Sequence, residues 1–311
     1  MTREMKSGYL TVFMLLLIIP SQLIAWDGTG PLVIDHNCSD LSKVPLDWVD
    51  AVQANLRLHY AHTSHGHQLT RGLEIIEGAD PSYNIALEYR LLPVESDAFC
   101  IFDGQEELTY VTPEEYWNSA AGMNKTRSVL ANNSTINITM FGWCYQMDGA
   151  PASYVQAYLD SMSLLEAEDP DLIVIYFTGH AQTMGWEGWN RHQRNEQIRQ
   201  FCIANNKILF DFADLDSWWF NPGTQEWEFE TYEYDGETIP VEHPQYSGDE
   251  WGHTTLESCE LKGRATWWMF SEISGWNPTT TGVDPKIVET SLGGILKLFK
   301  QQGSAAEQNK D

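Results

Sequence analysis

The sequence predicts an α/β fold, a three-layer α/β/α sandwich built on a parallel sheet. Three observations carry that expectation. Residues 172–177 (LIVIYF) are an unbroken β-branched and aromatic run, the mark of a strand buried on both faces. Strand-like runs alternate with stretches of helical periodicity between residues 46 and 273, the order that βαβ units produce. No hairpin signal is read between the runs.

The elements follow in order. A short helix at 46–54 feeds a strand at 55–61 (NLRLHYA), and the turn HTSHG opens a helix at 68–77. Residues 79–134 carry several Asn and Glu with weak periodicity, and read as an irregular insertion. A strand at 136–143 (INITMFGW) comes next. Val155, Tyr158, Leu159, Met162 and Leu165 then recur at helical spacing within 153–167, an amphipathic helix. Asp169-Pro170-Asp171 stops it, and the strand at 172–177 ends in Thr178-Gly179-His180. A helix at 195–204, a buried strand at 208–212 and a final helix at 261–273 complete the pattern. Acidic and aromatic residues fill a second insertion near 217–250, which with its flank reads as one long loop over 218–253. One domain therefore spans about 26–276, and residues 277–311 form a tail with one short helix at 287–299.

Ahead of the domain, Arg3 and Lys6 precede the apolar run LTVFMLLLII, closed by Pro20, Ser21 and a candidate cleavage point at Ala25. Residues 1–25 thus read as a secretory signal peptide or an uncleaved anchor, which makes the chain secreted or surface-bound. Any membrane tether runs through this segment alone. Sequons at Asn37, Asn124, Asn132, Asn133 and Asn137 fit export, four of them suggesting one exposed stretch. The five cysteines lie after this segment without a CxxC pair. That spacing disfavours a zinc knuckle and allows one or two disulfides, with at least one thiol left over.

Charge narrows the partners. With 18 Lys+Arg against 44 Asp+Glu the net charge is −26, so phosphate-rich nucleic acid and anionic membrane are repelled. No cofactor motif is read, and the expected partner is a small-molecule or carbohydrate substrate.

In open parallel sheets ligands bind beyond the carboxyl ends of the strands. That rule selects residues 63–66, 142–145, 178–181 and 211–216. Ser64 sits in the first of these, where a serine either caps the following helix or presents its hydroxyl beside an oxyanion-binding helix start. His253 precedes the last helix with Asp249 and Glu250 just upstream; a carboxylate there would fix its tautomer for general-base work. The alternative is a solvated loop histidine.

Taken in order, a serine after the first strand, Gly142 after the second, PDLIVIYFTGH at the middle strand and a carboxylate–His pair before the last helix resemble the SGNH/GDSL hydrolase superfamily. The resemblance covers about residues 30–276 and implies a flavodoxin-like sandwich hydrolysing esters. It further implies Ser64 as nucleophile, Gly142 as an oxyanion donor and His253 as base, oriented by Glu250 or Asp249. The family pattern departs in two places. His62-Thr63-Ser64-His65-Gly66 lacks Gly-Asp-Ser, and His180 directly follows Gly179 where an Asn is expected one residue further on. His180 then either donates to the oxyanion or packs in the turn.

Three further patterns remain open. His59, His62, His65 and His67 cluster in nine residues, and three imidazoles suit Zn²⁺, against a reading in which they pack or position Ser64. Asp211, Asp214 and Asp216 offer oxygens for Ca²⁺, against a solvated loop. Nine of the 13 tryptophans fall between 186 and 276. Trp218 and Trp219 are candidates to stack on sugar rings, while Trp267 and Trp268 belong to the core.

The sequence is thus read as an exported esterase acting on a carboxylic ester, a carbohydrate O-acyl group among the candidates. The alternatives are a non-catalytic glycan-binding protein on the same fold and a His-cluster metal-dependent hydrolase.

Overall fold

The computed structural model describes residues 30–279, so the segment 1–25 and the helix read at 287–299 lie outside the described residues. Seven parallel strands form the central sheet: β1 (Leu32–Ile34), β2 (Arg57–His62), β3 (Ile85–Tyr89), β4 (Phe99–Asp103), β5 (Ile138–Gly142), β6 (Ile173–Phe177) and β7 (Ile208–Phe210). Their order is β1-β7-β6-β5-β2-β4-β3. Without the two edge strands β1 and β3 this is the flavodoxin-like order, in which the chain leaves the first strand to one side and returns on the other. Here the switch falls between β2 and β5, paired in parallel from Leu58↔Ile138 to His62↔Gly142.

Helices α1 (Leu46–Asn55), α2 (His67–Ala79), α3 (Pro113–Tyr116), α4 (Ala120–Asn132), α5 (Ala152–Glu168), α6 (Gly185–Ala204), α7 (Phe212–Ser217) and α8 (Leu256–Ile273) cover the sheet. Crossovers between parallel strands are right-handed. Connections running in opposite directions from the switch therefore place α1, α2 and α8 on one face and α4, α5 and α6 on the other. Aromatic packing marks both layers. Trp117 and Trp143 meet Tyr158 of α5 on one side, and Phe99 meets Trp267 and Phe270 of α8 on the other.

Between α2 and α8 the contact is backbone to backbone. A Cβ on Gly72 would lie 1.9 Å from the Cys259 carbonyl oxygen, and one on Gly263 would lie 2.4 Å from the Gly72 carbonyl carbon. The two helices run side by side in one direction: Gln68 donates to the Gly252 carbonyl near their starts, and Tyr83 packs on Trp267 further along.

The structure corrects several sequence expectations. The stretch 79–134 is regular, holding β3, β4, α3 and α4. β4 (FCIFD) is buried at every position, and α3 opens with a capping box between Thr112 and Glu115. Helix α6 begins ten residues before the expected start because its inner face is polar. Asn190 donates to the carbonyls of Asp148 and Ala150, and Arg191 reaches Asp148. The supposed loop 218–253 contains two hairpins, β8 (Trp218–Asn221) with β9 (Glu226–Phe229) and β10 (Thr231–Tyr234) with β11 (Glu237–Pro240). The second turns on Asp235-Gly236, both at positive φ (51° and 81°), the Asp-Gly hairpin signature. All five cysteines are free thiols, so the disulfides that the spacing allows are not formed among the described residues. The four clustered sequons do not share one loop. Asn124 and Asn132 are exposed on α4, whereas Asn137 clamps the strand ends by accepting from the Arg57 N–H and donating to the Asn55 carbonyl.

Candidate functional site at the sheet switch point

At the carboxyl ends of β2 and β5 two glycines let the chains touch. Gly66 leaves no room for a Cβ, which would sit 2.3 Å from the His62 Cβ, and a Cβ on Gly142 would lie 3.0 Å from the Gly66 Cα. This approach places the short 3-10 turn Ser64–Gly66, which leads into α2, against the residues following β5. Gly142 thus serves as the packing point of the switch, its carbonyl accepting from the Thr63 N–H at 3.0 Å.

Just beyond, the Cys144 sulfur lies 3.0 Å from Nδ1 of His65, and Nε2 of His65 lies 2.8 Å from Oε1 of Gln182. The directions of these bonds follow from the network. Gln182 uses its Nε2 to donate to Glu242 at 2.9 Å and to the His253 carbonyl, so its Oε1 is an acceptor. His65 therefore carries its proton on Nε2, and the bare Nδ1 faces the thiol. Burial holds the His65 pKa well below the ordinary imidazole value, and nearby His180 adds to the effect, so the ring is a neutral base. The Cys144 thiol is pushed up by burial. The Ser64 hydroxyl and the backbone N–H groups of Tyr145 and His65 act in the opposite sense.

His253 completes the cluster. Its ring lies 5.0 Å from that of His65 and 5.6 Å from that of Tyr145. One donor atom each from His65, Cys144 and His253 fall within 4.8 Å of one another, the kind of Cys/His convergence that can hold a transition metal. The His253 backbone is left-handed at φ 72°, uncommon for a residue with a side chain, and the Gln182 amide pins its carbonyl there.

Ser64 and His253 are thus brought to one place, grouped around Cys144. The carboxylates expected to orient His253 are elsewhere. Glu250 accepts the Leu256 N–H at 2.8 Å, capping α8, and Asp249 is exposed; neither bonds the imidazole among the described residues. His180 stacks on His65 with ring centroids 4.3 Å apart. Its Nδ1 accepts the Gln182 N–H at 3.0 Å and its Nε2 faces Asp148 at 3.2 Å, so the buried ring packs in the turn with its second nitrogen toward a carboxylate.

The remaining candidates are held apart. His59 bridges Thr139 and the Gly104 carbonyl, and His62 pairs with buried Asp103 at 3.0 Å. His67 lies against Trp251 and stacks on His62 at 5.5 Å, while His59 and His65 have their own partners, so the four clustered histidines do not share one centre. The three aspartates each have a separate partner: Asp211 pairs with Arg199 at 2.6 Å, Asp214 with His36 at 2.7 Å and Asp216 with Lys262 at 2.7 Å. Trp218 is stacked between His36 and Phe229, and Trp219 lies on His243. Sequence reasoning passed over Cys144 and Gln182. Cys144 stood within the selected stretch 142–145 and was weighed only as a disulfide partner. No family model matches the chain, and no curated protein matches it.

Proposed function

We propose that the protein hydrolyses a carboxylic ester by acyl transfer at the switch point, with Cys144 as the nucleophile. The observation that carries this reading is the continuous chain from the Cys144 sulfur to His65 to Gln182, at 3.0 and 2.8 Å. A nucleophile and base within hydrogen-bond reach, with the base oriented by a third group, is the arrangement nucleophilic catalysis requires. His65 Nδ1 takes the thiol proton as sulfur attacks the carbonyl carbon. The Ser64 hydroxyl, beside the sulfur, supplies a donor to the developing oxyanion. The C–O bond then breaks, His65 returns the proton to the leaving alcohol, and water hydrolyses the thioester with His65 again as base. The resemblance to SGNH hydrolases supports an ester rather than another acyl donor, and the N-terminal segment supports an exported protein.

Hydrolysis of p-nitrophenyl acetate, with alkylation by an iodoacetamide probe and peptide mapping, tests the reading. Activity and alkylation at Cys144 are both expected, the first abolished by Cys144→Ala and both depressed by His65→Ala. Unchanged hydrolysis in Cys144→Ala, with a fluorophosphonate probe modifying Ser64, would move the nucleophile to the half-exposed serine.

A second reading is favoured by the convergence of His65, Cys144 and His253. These would bind Zn²⁺ with Gln182 as the outer partner that fixes the His65 tautomer, leaving an open position for water. One equivalent of zinc in tag-free protein, lost in His253→Ala, would select it over the covalent route.

A further inference from the structure

Away from the switch point, a cavity of about 730 Å³ opens between the β8–β9 hairpin, the loop after β1 and the first half of α8. This lies within the roughly 300–1,000 Å³ of pockets that enclose a small ligand. Phe220 and Trp227 form its aromatic wall, Glu257 and Glu260 line it from α8, and His36 and Asn37 line it from the loop.

The chemistry of the lining selects the ligand. Its two Lys/Arg cations each lie beside a carboxylate, Lys43 with Asp40 at 3.3 Å and Arg264 with Glu260 at 2.6 Å, and with Glu257 the carboxylates outnumber them, so the lining offers no net positive charge to a phosphate or a carboxylate. The chain's net charge of −26 opposes anions further. Nor is the cavity a lipid pocket, because carboxylates, an amide and an imidazole share it with the aromatic rings. Apolar faces beside ordered hydrogen-bonding groups suit a ligand that is neutral, polyhydroxylated and flat on one side. The polar groups are positioned in advance. The Trp219 indole N–H holds Glu257 at 2.8 Å, and Asp214 holds His36 at 2.7 Å. From this we infer that the cavity is a binding site for a neutral oligosaccharide.

The site differs from the one expected at Trp218 and Trp219. Trp218 has a ring on each side, His36 at 4.2 Å and Phe229 at 4.5 Å, so no sugar stacks on it. It props up the wall that Phe220 and Trp227 present, while Trp219 positions Glu257. The inference does not rest on the hydrolase reading, because binding is measured in a chain without the Cys144 thiol.

The experiment is titration of Cys144→Ala protein with cellohexaose, xylohexaose, mannohexaose and chitohexaose, followed by calorimetry and tryptophan fluorescence. A heparin hexasaccharide serves as the anionic counterpart. Saturable binding of at least one neutral hexasaccharide is expected, weakened about tenfold or more by Trp227→Ala and by Glu257→Gln. Trp227→Tyr keeps an aromatic face and should restore most of the affinity. It also covers the chance that the alanine variant fails to fold. Three results would overturn the inference: no neutral hexasaccharide binds, heparin binds more tightly than all four, or affinity is indifferent to both the Trp227 and Glu257 substitutions.

Discussion

Replacing Lys262 by methionine removes a charge from a place that water does not reach. Lys262 and Asp216 are both fully buried and 2.7 Å apart. At an effective dielectric of about 20, two unit charges at that separation attract by roughly 6 kcal/mol, and this attraction offsets the several kcal/mol each ion loses by leaving water. The intact pair is therefore close to neutral in net stability. Methionine fills similar volume and leaves the Asp216 carboxylate with the Ala181 N–H at 2.9 Å but without its directly paired cation. Loss of one partner of a buried pair costs about 3–5 kcal/mol. For a domain of this size that lowers Tm by roughly 6–20 °C, at about 2–4 °C per kcal/mol. The double variant Asp216→Asn/Lys262→Met keeps an acceptor for the Ala181 N–H and removes both charges, so it should return to within about 1 kcal/mol of the parent. Urea unfolding of the parent, the single variant and the double variant measures all three values. A single variant losing under about 1 kcal/mol, or a double variant no more stable than the single, would refute the account of this pair as an offset between attraction and desolvation.

Three other outcomes follow from the same geometry. Gln182→Ala removes the acceptor that fixes the His65 tautomer. It should lower kcat on an ester by about 10²-fold, the lower end of what a positioned base contributes, with little change in KM. Burial, then the nearby Asp216 charge, raises the Glu242 pKa to about 7 from 4.5. A carboxyl whose folded pKa is raised favours the fold when protonated, so stability from Glu242 is present below pH 4.5 and lost as pH rises to about 7. Denaturation midpoints measured across that window should fall less steeply in Glu242→Gln. Gly72→Ala forces a methyl to 1.9 Å from the Cys259 carbonyl, and the helices must part at a cost of about 3 kcal/mol or more, readable by urea unfolding.

The sheet was legible where a strand is long and uniformly apolar. Residues 173–177 of β6 sit between other strands and have no polar face to disguise them. β4 is buried throughout as well, but its five residues stand among acidic neighbours such as Glu95, Asp97, Glu106 and Glu107, and a window wide enough to detect periodicity averages them away. β1 has three residues, and its pairing to β7 exists only after the fold brings Leu32 beside Ile208. The start of α6 was hidden because its buried face is Asn190, Arg191 and Asn195, chosen for carbonyls and carboxylates that the sequence does not locate. Strand-end logic selected Ser64, Gly142 and His180, which the fold brings to one neighbourhood. Their roles depend on which atoms are left unpaired, and that is tertiary information. Gln182 carried no signal at all, since an amide gains significance here only by facing an imidazole.

The parallel contact of α2 and α8 through Gly72 and Gly263 has an electrostatic consequence. Both helices begin at the same corner of the molecule, α2 just after Ser64 and His65 and α8 just after His253. Each helix start carries the equivalent of about half a positive charge, and the glycine contact leaves no side-chain layer to hold the two apart. Two such ends pointing the same way make a local patch of positive potential in a chain whose net charge is −26. A thiolate or an oxyanion forming at Cys144 would meet a field opposite in sign to that of the surface around it. That field comes from backbone spacing, and the Glu250 carboxylate on the Leu256 N–H offsets part of it at the α8 end.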